Sequence, residues 1–241
     1  MQQEIQEPRQ HKLSIVMPVY NEASTLDRVF DAVQRVRMPI AREIILVDDG
    51  SRGGSAAIID ELAVAHAGDA VSVFHHVRNQ GKGAAVRTAL AHASGTIMVI
   101  QDADLEYNPE EIPDLIAPIL SDRARVVFGT RAFRSHTAFS FWFVVGNKLV
   151  PLTTNILFNS YLSDVETCYK VMPVDTARTL HLQSRGFEIE VEITAKLLRS
   201  GYQIYEVPIE YAARTRSEGK KLQVKDGFKA IRGLVRYRFL P

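Results

Sequence analysis

The apolar positions in the first half of the chain fall into short runs separated by stretches of helical spacing. LSIVMPV at 13–19 is an apolar run of strand length, interrupted only by Ser14. After it, Leu26, Val29, Phe30 and Val33 recur at i, i+3, i+4 and i+7, the stripe of an amphipathic helix. The alternation then repeats. EIILV at 43–47 precedes a helix over 55–67 carrying Ile58, Ile59 and Leu62, and VSVFHHV at 71–77 leads through Arg78-Asn79-Gln80-Gly81-Lys82-Gly83 into an Ala-rich helix. TIMVI at 96–100, a helix around 109–120 and RVVFG at 125–129 complete the series. Continuously apolar strands alternating with helices predict an α/β fold with a mostly parallel sheet and helices on both faces. Ligands of such sheets gather at the carboxyl ends of the strands. Tyr20-Asn21-Glu22, Asp48-Asp49, Lys82 and Asp102-Asp104 all fall there.

The second half is less regular. A helix over 187–200 leads through Gly201 to a strand, YQIYEVPI, at 202–209, and then to the basic segment ARTRSEGKK. Near the end, Val224, Phe228, Ile231 and Val235 form an apolar stripe, with Lys225, Lys229, Arg232 and Arg236 one position along. That is a basic amphipathic helix. Between His136 and Asp164 the only charge is Lys148, and FSFWFVV at 139–145 is the most aromatic stretch. Pro151 and the polar Thr153, Thr154 and Asn155 interrupt this region, which argues against a membrane span. A buried helix pair is the plain expectation, and a lipid-touching surface the sharper one. With no internal repeat or linker, the expected organisation is a loose leader at 1–12, one domain at 13–222 and the basic helix at 223–241.

Composition narrows the classes. Hydrophobic residues at 46% and charged residues at 24% exclude a disordered or fibrous chain, and 241 residues suit one large α/β domain. The single cysteine, Cys168, excludes an internal disulfide framework and fits a reducing compartment. The polar leader carries no signal-peptide apolar stretch, so a cytoplasmic location is expected. The formal charge of +1 conceals an asymmetry. Residues 212–241 hold nine basic and two acidic side chains, a net of +7, while the rest of the chain holds 20 basic against 26 acidic, a net of −6. Such a tail suits an anionic membrane surface, which places the protein peripherally on the inner face of the membrane. It packs as readily against a second copy of the chain. No nucleic-acid partner is indicated.

Asp102-Ala103-Asp104 follows a strand of core character, and two carboxylates at a strand end suit Mg²⁺ or Mn²⁺ completed by phosphate oxygens and water. Asp48-Asp49-Gly50-Ser51 reads either as a capped turn or as an acceptor for a nucleobase or ribose. The 78–83 loop has the composition of a phosphate loop without matching G-x-x-x-x-G-K-[ST]. There is no G-x-G-x-x-G after the first strand, no G-x-S-x-G and no H-E-x-x-H. The seven histidines show no metal-ligand spacing.

Pro18-Val19-Tyr20-Asn21-Glu22, Val47-Asp48-Asp49-Gly50-Ser51, Asn79 to Gly83 and Asp102-Ala103-Asp104-Leu105-Glu106 stand in the order and spacing of glycosyltransferase family 2. Within it the chain most resembles the dolichyl- and polyprenyl-phosphate mannosyltransferases, over residues 13–222. The resemblance implies a GT-A fold with a nucleotide-sugar-binding sheet. It implies that Pro18, Tyr20, Glu22, Asp49, Lys82, Ala103, Arg214 and Lys221 bind the donor together with Asp102 and Asp104. Asp102, Asp104 and Glu106 are implied as metal ligands, and Glu106 stands where those transferases usually have Gln. Arg131 matches a phosphate-contacting position, while the spacing between Arg214 and Lys221 is longer than the family's.

The expected activity is inverting transfer of a hexose, mannose ahead of glucose, from a nucleotide sugar to a polyprenyl phosphate. Metal and cationic side chains stabilise the leaving diphosphate more in the transition state than in the ground state. The candidate catalytic residues are Asp104, Arg131, Asp164 and Glu166. A phosphate acceptor needs no general base, whereas a hydroxyl acceptor does, and Asp164 or Glu166 would supply it. Two alternatives stand beside this reading. One is a family 2 enzyme acting on a hydroxyl of a cell-envelope glycan, and the other is a non-catalytic membrane-surface module that keeps the nucleotide pocket.

Overall fold

The structure, a computed structural model, describes residues 10–131, 141–214 and 224–239. Residues 1–9 of the leader, Lys221 and the side chains of the aromatic run at 139–145 lie outside the described residues. Seven strands form one sheet in the order β3-β2-β1-β4-β6-β5-β7. The strands are β1 (Lys12–Val19), β2 (Ala41–Asp48), β3 (Val71–His75), β4 (Ile97–Ile100), β5 (Val126–Thr130), β6 (Lys170–Pro173) and β7 (Ile204–Pro208). β1 to β4 pair parallel, as do β5 and β7, while β6 runs antiparallel to both β4 and β5.

The helices are α1 (Leu26–Arg35), α2 (Ser55–Ala65), α3 (Lys82–His92), α4 (Ile112–Leu120), α5 (Phe141–Phe158), α6 (Val174–Thr179), α7 (Ile189–Arg199) and α8 (Val224–Phe239). The predicted stripe Leu26, Val29, Phe30 and Val33 is fully buried against the sheet. Leu13, Ile15, Val16 and Met17 of β1 are at zero exposure, which is what a strand covered on both faces requires.

Two expectations are corrected. Among the described residues, the region read as a buried helix pair holds one helix, α5, that runs through Pro151. The hydroxyls of Thr153 and Thr154 donate to the Leu149 and Val150 carbonyls at 2.7 and 2.9 Å, so the polar residues are absorbed without ending the helix. In α8 the docked face is not the one the apolar stripe pointed to. Ala230, Leu234 and Tyr237 are buried in a second core with Val150, Leu162, Val165, Val191 and Ala195, while Phe228 is 72% and Val235 45% exposed. Small residues at Ala230 and Gly233 let the helix approach α7 closely, while Phe228 and Val235 are turned outward.

Candidate active site

The four motifs meet at the carboxyl ends of β1, β2 and β4 and at the start of α3, around a cavity of about 350 Å³. Pro18, Tyr20, Glu22, Asp49, Lys82, Asp102, Ala103, Asp104, Glu106, Arg131, Glu166 and Arg214 all line it. Lys221 lies outside the described residues, and Asp164 stands just behind the wall, bound to Arg131.

The first two motifs interlock. Asn21 Oδ1 accepts from the Arg52 N–H at 2.7 Å, and the Asn21 and Glu22 N–H groups donate to the Ser51 and Ser55 hydroxyls. Gly50 has φ +67°, and a Cβ there would stand 2.5 Å from the Arg78 backbone, so the turn after β2 admits only glycine. Asp48 caps this turn by accepting from the Ser51 N–H. Asp49 is buried and heavily engaged. Its Oδ1 accepts from the Gln80 N–H at 2.9 Å and faces His76 Nδ1 at 2.7 Å, while Oδ2 accepts from the Gly81 N–H at 2.7 Å. Its carboxylate therefore fixes the 80–81 turn that delivers Lys82, and this work occupies most of the lone pairs the sequence reading reserved for a nucleobase.

The Lys82 ammonium stands 2.8 Å from Asp102 and 2.9 Å from Glu190. Burial alone would lower its pKa, but Asp102 and Glu190 hold it well above the ordinary lysine range. Two residues beyond Asp102, burial raises the Asp104 carboxyl to about 7, reinforced by the charges of Asp102 and Glu106. Leu105 between them has φ +61°, a left-handed conformation costly for a branched residue, and the turn it makes lets the Glu106 N–H donate to Asp104 Oδ1.

Glu106 departs from its expected role as third ligand. Its Oε2 accepts from the Tyr211 hydroxyl at 2.7 Å and its Oε1 from the Arg214 N–H at 2.9 Å. It thus pins the 211–214 segment across the cavity, where the Arg214 guanidinium pairs with Glu22 at 3.0 Å. Among the described residues no three His, Cys, Asp or Glu side chains enclose a metal position by themselves. Two crowded carboxylates, one reluctant to ionise without a cation, fit a Mg²⁺ or Mn²⁺ ion that takes its remaining ligands from a bound diphosphate.

At the other end of the cavity Arg131 makes a two-pronged pair with Asp164, at 2.6 and 2.8 Å, and lies 4.8 Å over the Tyr211 ring. Burial opposes the charge on Asp164, but Arg131 draws its pKa below the usual carboxylate range, so Asp164 is a counter-ion and not a proton acceptor. Glu166 differs. Burial pushes its pKa up, only partly offset by Arg131, and no described side chain pairs with its carboxylate. Glu190, Lys170 and Tyr211 are functional neighbours that the sequence reading missed. The alternation Glu188-Ile189-Glu190-Val191-Glu192 at a helix start is the one signal that could have drawn attention to Glu190.

The model of Glycosyl transferase family 2 matches residues 14–179. The fold is similar to that of Mycobacterium tuberculosis glucosyl-3-phosphoglycerate synthase in complex with Mn²⁺, UDP and glucosyl-3-phosphoglycerate, at a TM-score of 0.71 and 20% identity over 96% of this chain and 81% of that one. The same enzyme with Mg²⁺ and UDP gives a TM-score of 0.69 at 20% identity over 96% and 80%.

Proposed function

The chain belongs to glycosyl transferase family 2 and is a glycosyltransferase of GT-A fold, and on that premise we propose that it transfers a hexose from a nucleotide sugar to a polyprenyl phosphate at a membrane surface. The cofactor is Mg²⁺ or Mn²⁺ held by Asp102 and Asp104, and its role when bound is to neutralise the leaving diphosphate. Lys82 and Arg214 line the same cavity and add positive charge where the leaving group departs. Mannose follows from the motif resemblance. Glucose follows from a structural neighbour bound to UDP-glucose.

The observation that carries the lipid acceptor is the outer surface of α5 and α8. Leu149, Leu152 and Ile156 on α5, and Phe228, Val235 and Phe239 on α8, are exposed on the helix sides opposite the second core. Arg232 and Arg236 stand exposed beside them. On α8, Phe228, Val235 and Phe239 beside Arg232 and Arg236 make an apolar face with flanking cations that suits an anionic bilayer, and no helix among the described residues is long and apolar enough to cross one. Ala230, on the inner side of α8, lines the cavity. A bilayer held by this helix therefore lies about one helix diameter, ~10 Å, from the cavity wall at Ala230. This supports a peripheral location on the inner face of the membrane.

A second reading, transfer to a glycan hydroxyl, is favoured by Glu166. Its carboxylate lines the cavity with no described side chain paired to it, while Arg131 is already neutralised by Asp164. One assay separates the two. Labelled GDP-mannose and UDP-glucose are supplied with Mn²⁺ and either a short polyprenyl phosphate in phosphatidylglycerol vesicles or envelope glycans. The lipid phosphate becomes labelled, and Glu166→Gln changes that rate by less than about threefold, because an anionic acceptor needs no base. Labelling confined to glycans, with Glu166→Gln slowing it by about 10²-fold or more, overturns the lipid reading.

A further inference from the structure

Four charged side chains alternate in sign, three lining the cavity and the last behind them: Asp102, Lys82, Glu190 and Lys170. Lys82 Nζ lies 2.8 Å from Asp102 Oδ1, 2.9 Å from Asp102 Oδ2 and 2.9 Å from Glu190 Oε1. Lys170 Nζ lies 2.9 Å from Glu190 Oε2, donates to the carbonyls of Val165 and Thr167, and sits 4.7 Å from the Phe128 ring centroid. The side chain of Glu190 is 5% exposed and that of Lys170 is fully buried. Buried ions of this kind are poor sources of stability, since apolar replacements of similar volume often do as well or better. The row calls for a positional explanation.

The Lys82 ammonium donates a hydrogen bond to Asp102 Oδ2 and lies within ion-pair distance of Asp102 Oδ1. The cation read at Asp102 and Asp104 needs those same oxygens. How firmly Lys82 holds Asp102 therefore sets how easily the cation enters. Glu190 is the second anion on that ammonium, and each increment of its attraction draws Lys82 off Asp102.

We infer that Glu190 is a positioning residue acting through Lys82, keeping an Asp102 oxygen available to the divalent cation and holding the lysine beside the donor diphosphate. Lys170 pairs with Glu190 at 2.9 Å and holds it in place, and its bonds to the 165 and 167 carbonyls tie the row to the loop that carries Glu166. The inference rests on the reading of Asp102 and Asp104 as the metal site.

The competing explanation is that Glu190 attracts the cation directly through space. A double-mutant cycle separates the two, with Mn²⁺ alone as the probe and free Mn²⁺ followed by its paramagnetic resonance signal on the full chain. Glu190→Gln weakens Mn²⁺ binding by about tenfold, Lys82→Met tightens it, and in the Lys82→Met background Glu190→Gln changes affinity by less than about threefold. Equal weakening in both backgrounds overturns the inference while leaving the metal site intact. A wild-type chain that binds no Mn²⁺ overturns the metal reading and the inference together. Thermal melts establish that each variant folds. Should Glu190→Gln fail to fold, Glu190→Asp runs the same cycle. It keeps the charge but retracts it by one methylene, so it weakens Mn²⁺ binding only when Lys82 is present, and loss in both backgrounds counts against the inference.

Discussion

Asp104→Ala abolishes sugar transfer, lowering kcat/KM by about 10³-fold or more, while the thermal midpoint of the metal-free protein stays level or rises. The activity loss follows from position. Asp104 projects from a strained turn directly after β4, beside Asp102, and its carboxyl is the group a bound cation would relieve. The stability effect follows from linkage. Asp104 titrates at about 7 in the folded chain against 3.8 for an ordinary aspartate. A carboxyl raised on folding contributes stability that is fully present below the unfolded value and is lost as pH rises through about 7. At neutral pH the metal-free protein therefore carries a penalty that alanine removes. Metal affinity has the opposite trend and climbs as pH rises through 7 and the proton leaves. Mn²⁺ titrations at pH 6 and pH 8 on wild type and Asp104→Asn check this, and the pH dependence flattens in the variant.

Glu43→Ala destabilises the fold by on the order of 3 kcal/mol and leaves the activity of the folded protein unchanged. Glu43 opens the apolar part of β2, at the end of the sheet away from the cavity, and is buried. Its carboxylate accepts from Lys12 Nζ at 2.8 Å, from the Ser14 hydroxyl at 2.6 Å, and from the Ser94 and Gly95 N–H groups at 2.7 and 3.0 Å. It thereby joins β1, β2 and the connection into β4. Burial works to raise its pKa, but these donors prevail and hold it at about 2. A carboxyl lowered on folding contributes stability above its unfolded value, near 4.5, and loses it as pH falls through about 2. Urea unfolding at pH 7 and pH 3 reads both effects. The wild type loses stability between the two, and the alanine variant loses less.

The parallel half of the sheet was legible because β1, β2 and β4 carry apolar runs buried on both faces and lead into polar residues that have no place in a core. That is why Tyr20, Glu22, Asp49, Lys82, Asp102 and Asp104 could be placed at one edge from their spacing. The parts that escaped are those where a charged residue is buried. Lys170 opens β6 at zero exposure, in a strand of four residues that runs against its neighbours, so neither length nor alternation marks it. Glu43 sat unremarked inside an apolar run, and Glu190 inside a helix. Their partners, Lys12, Ser94, Lys82 and Lys170, are distant in the chain, and periodicity carries no information about such pairs. The docked face of α8 was misplaced for a related reason. Ranking stripes by side-chain size favours Phe228 and Val235, but close packing on α7 favours Ala230 and Gly233.

The proposed nucleotide-sugar site is metal-dependent and built on Asp102 and Asp104. Calorimetric titration of the full chain with GDP and with UDP, each in Mn²⁺ and again in excess EDTA, tests it most directly. One of the two nucleotides binds at one per chain in Mn²⁺, and binding weakens by at least about tenfold in EDTA and in Asp104→Ala. Equal affinity with and without metal, or no binding of either nucleotide in Mn²⁺, contradicts it.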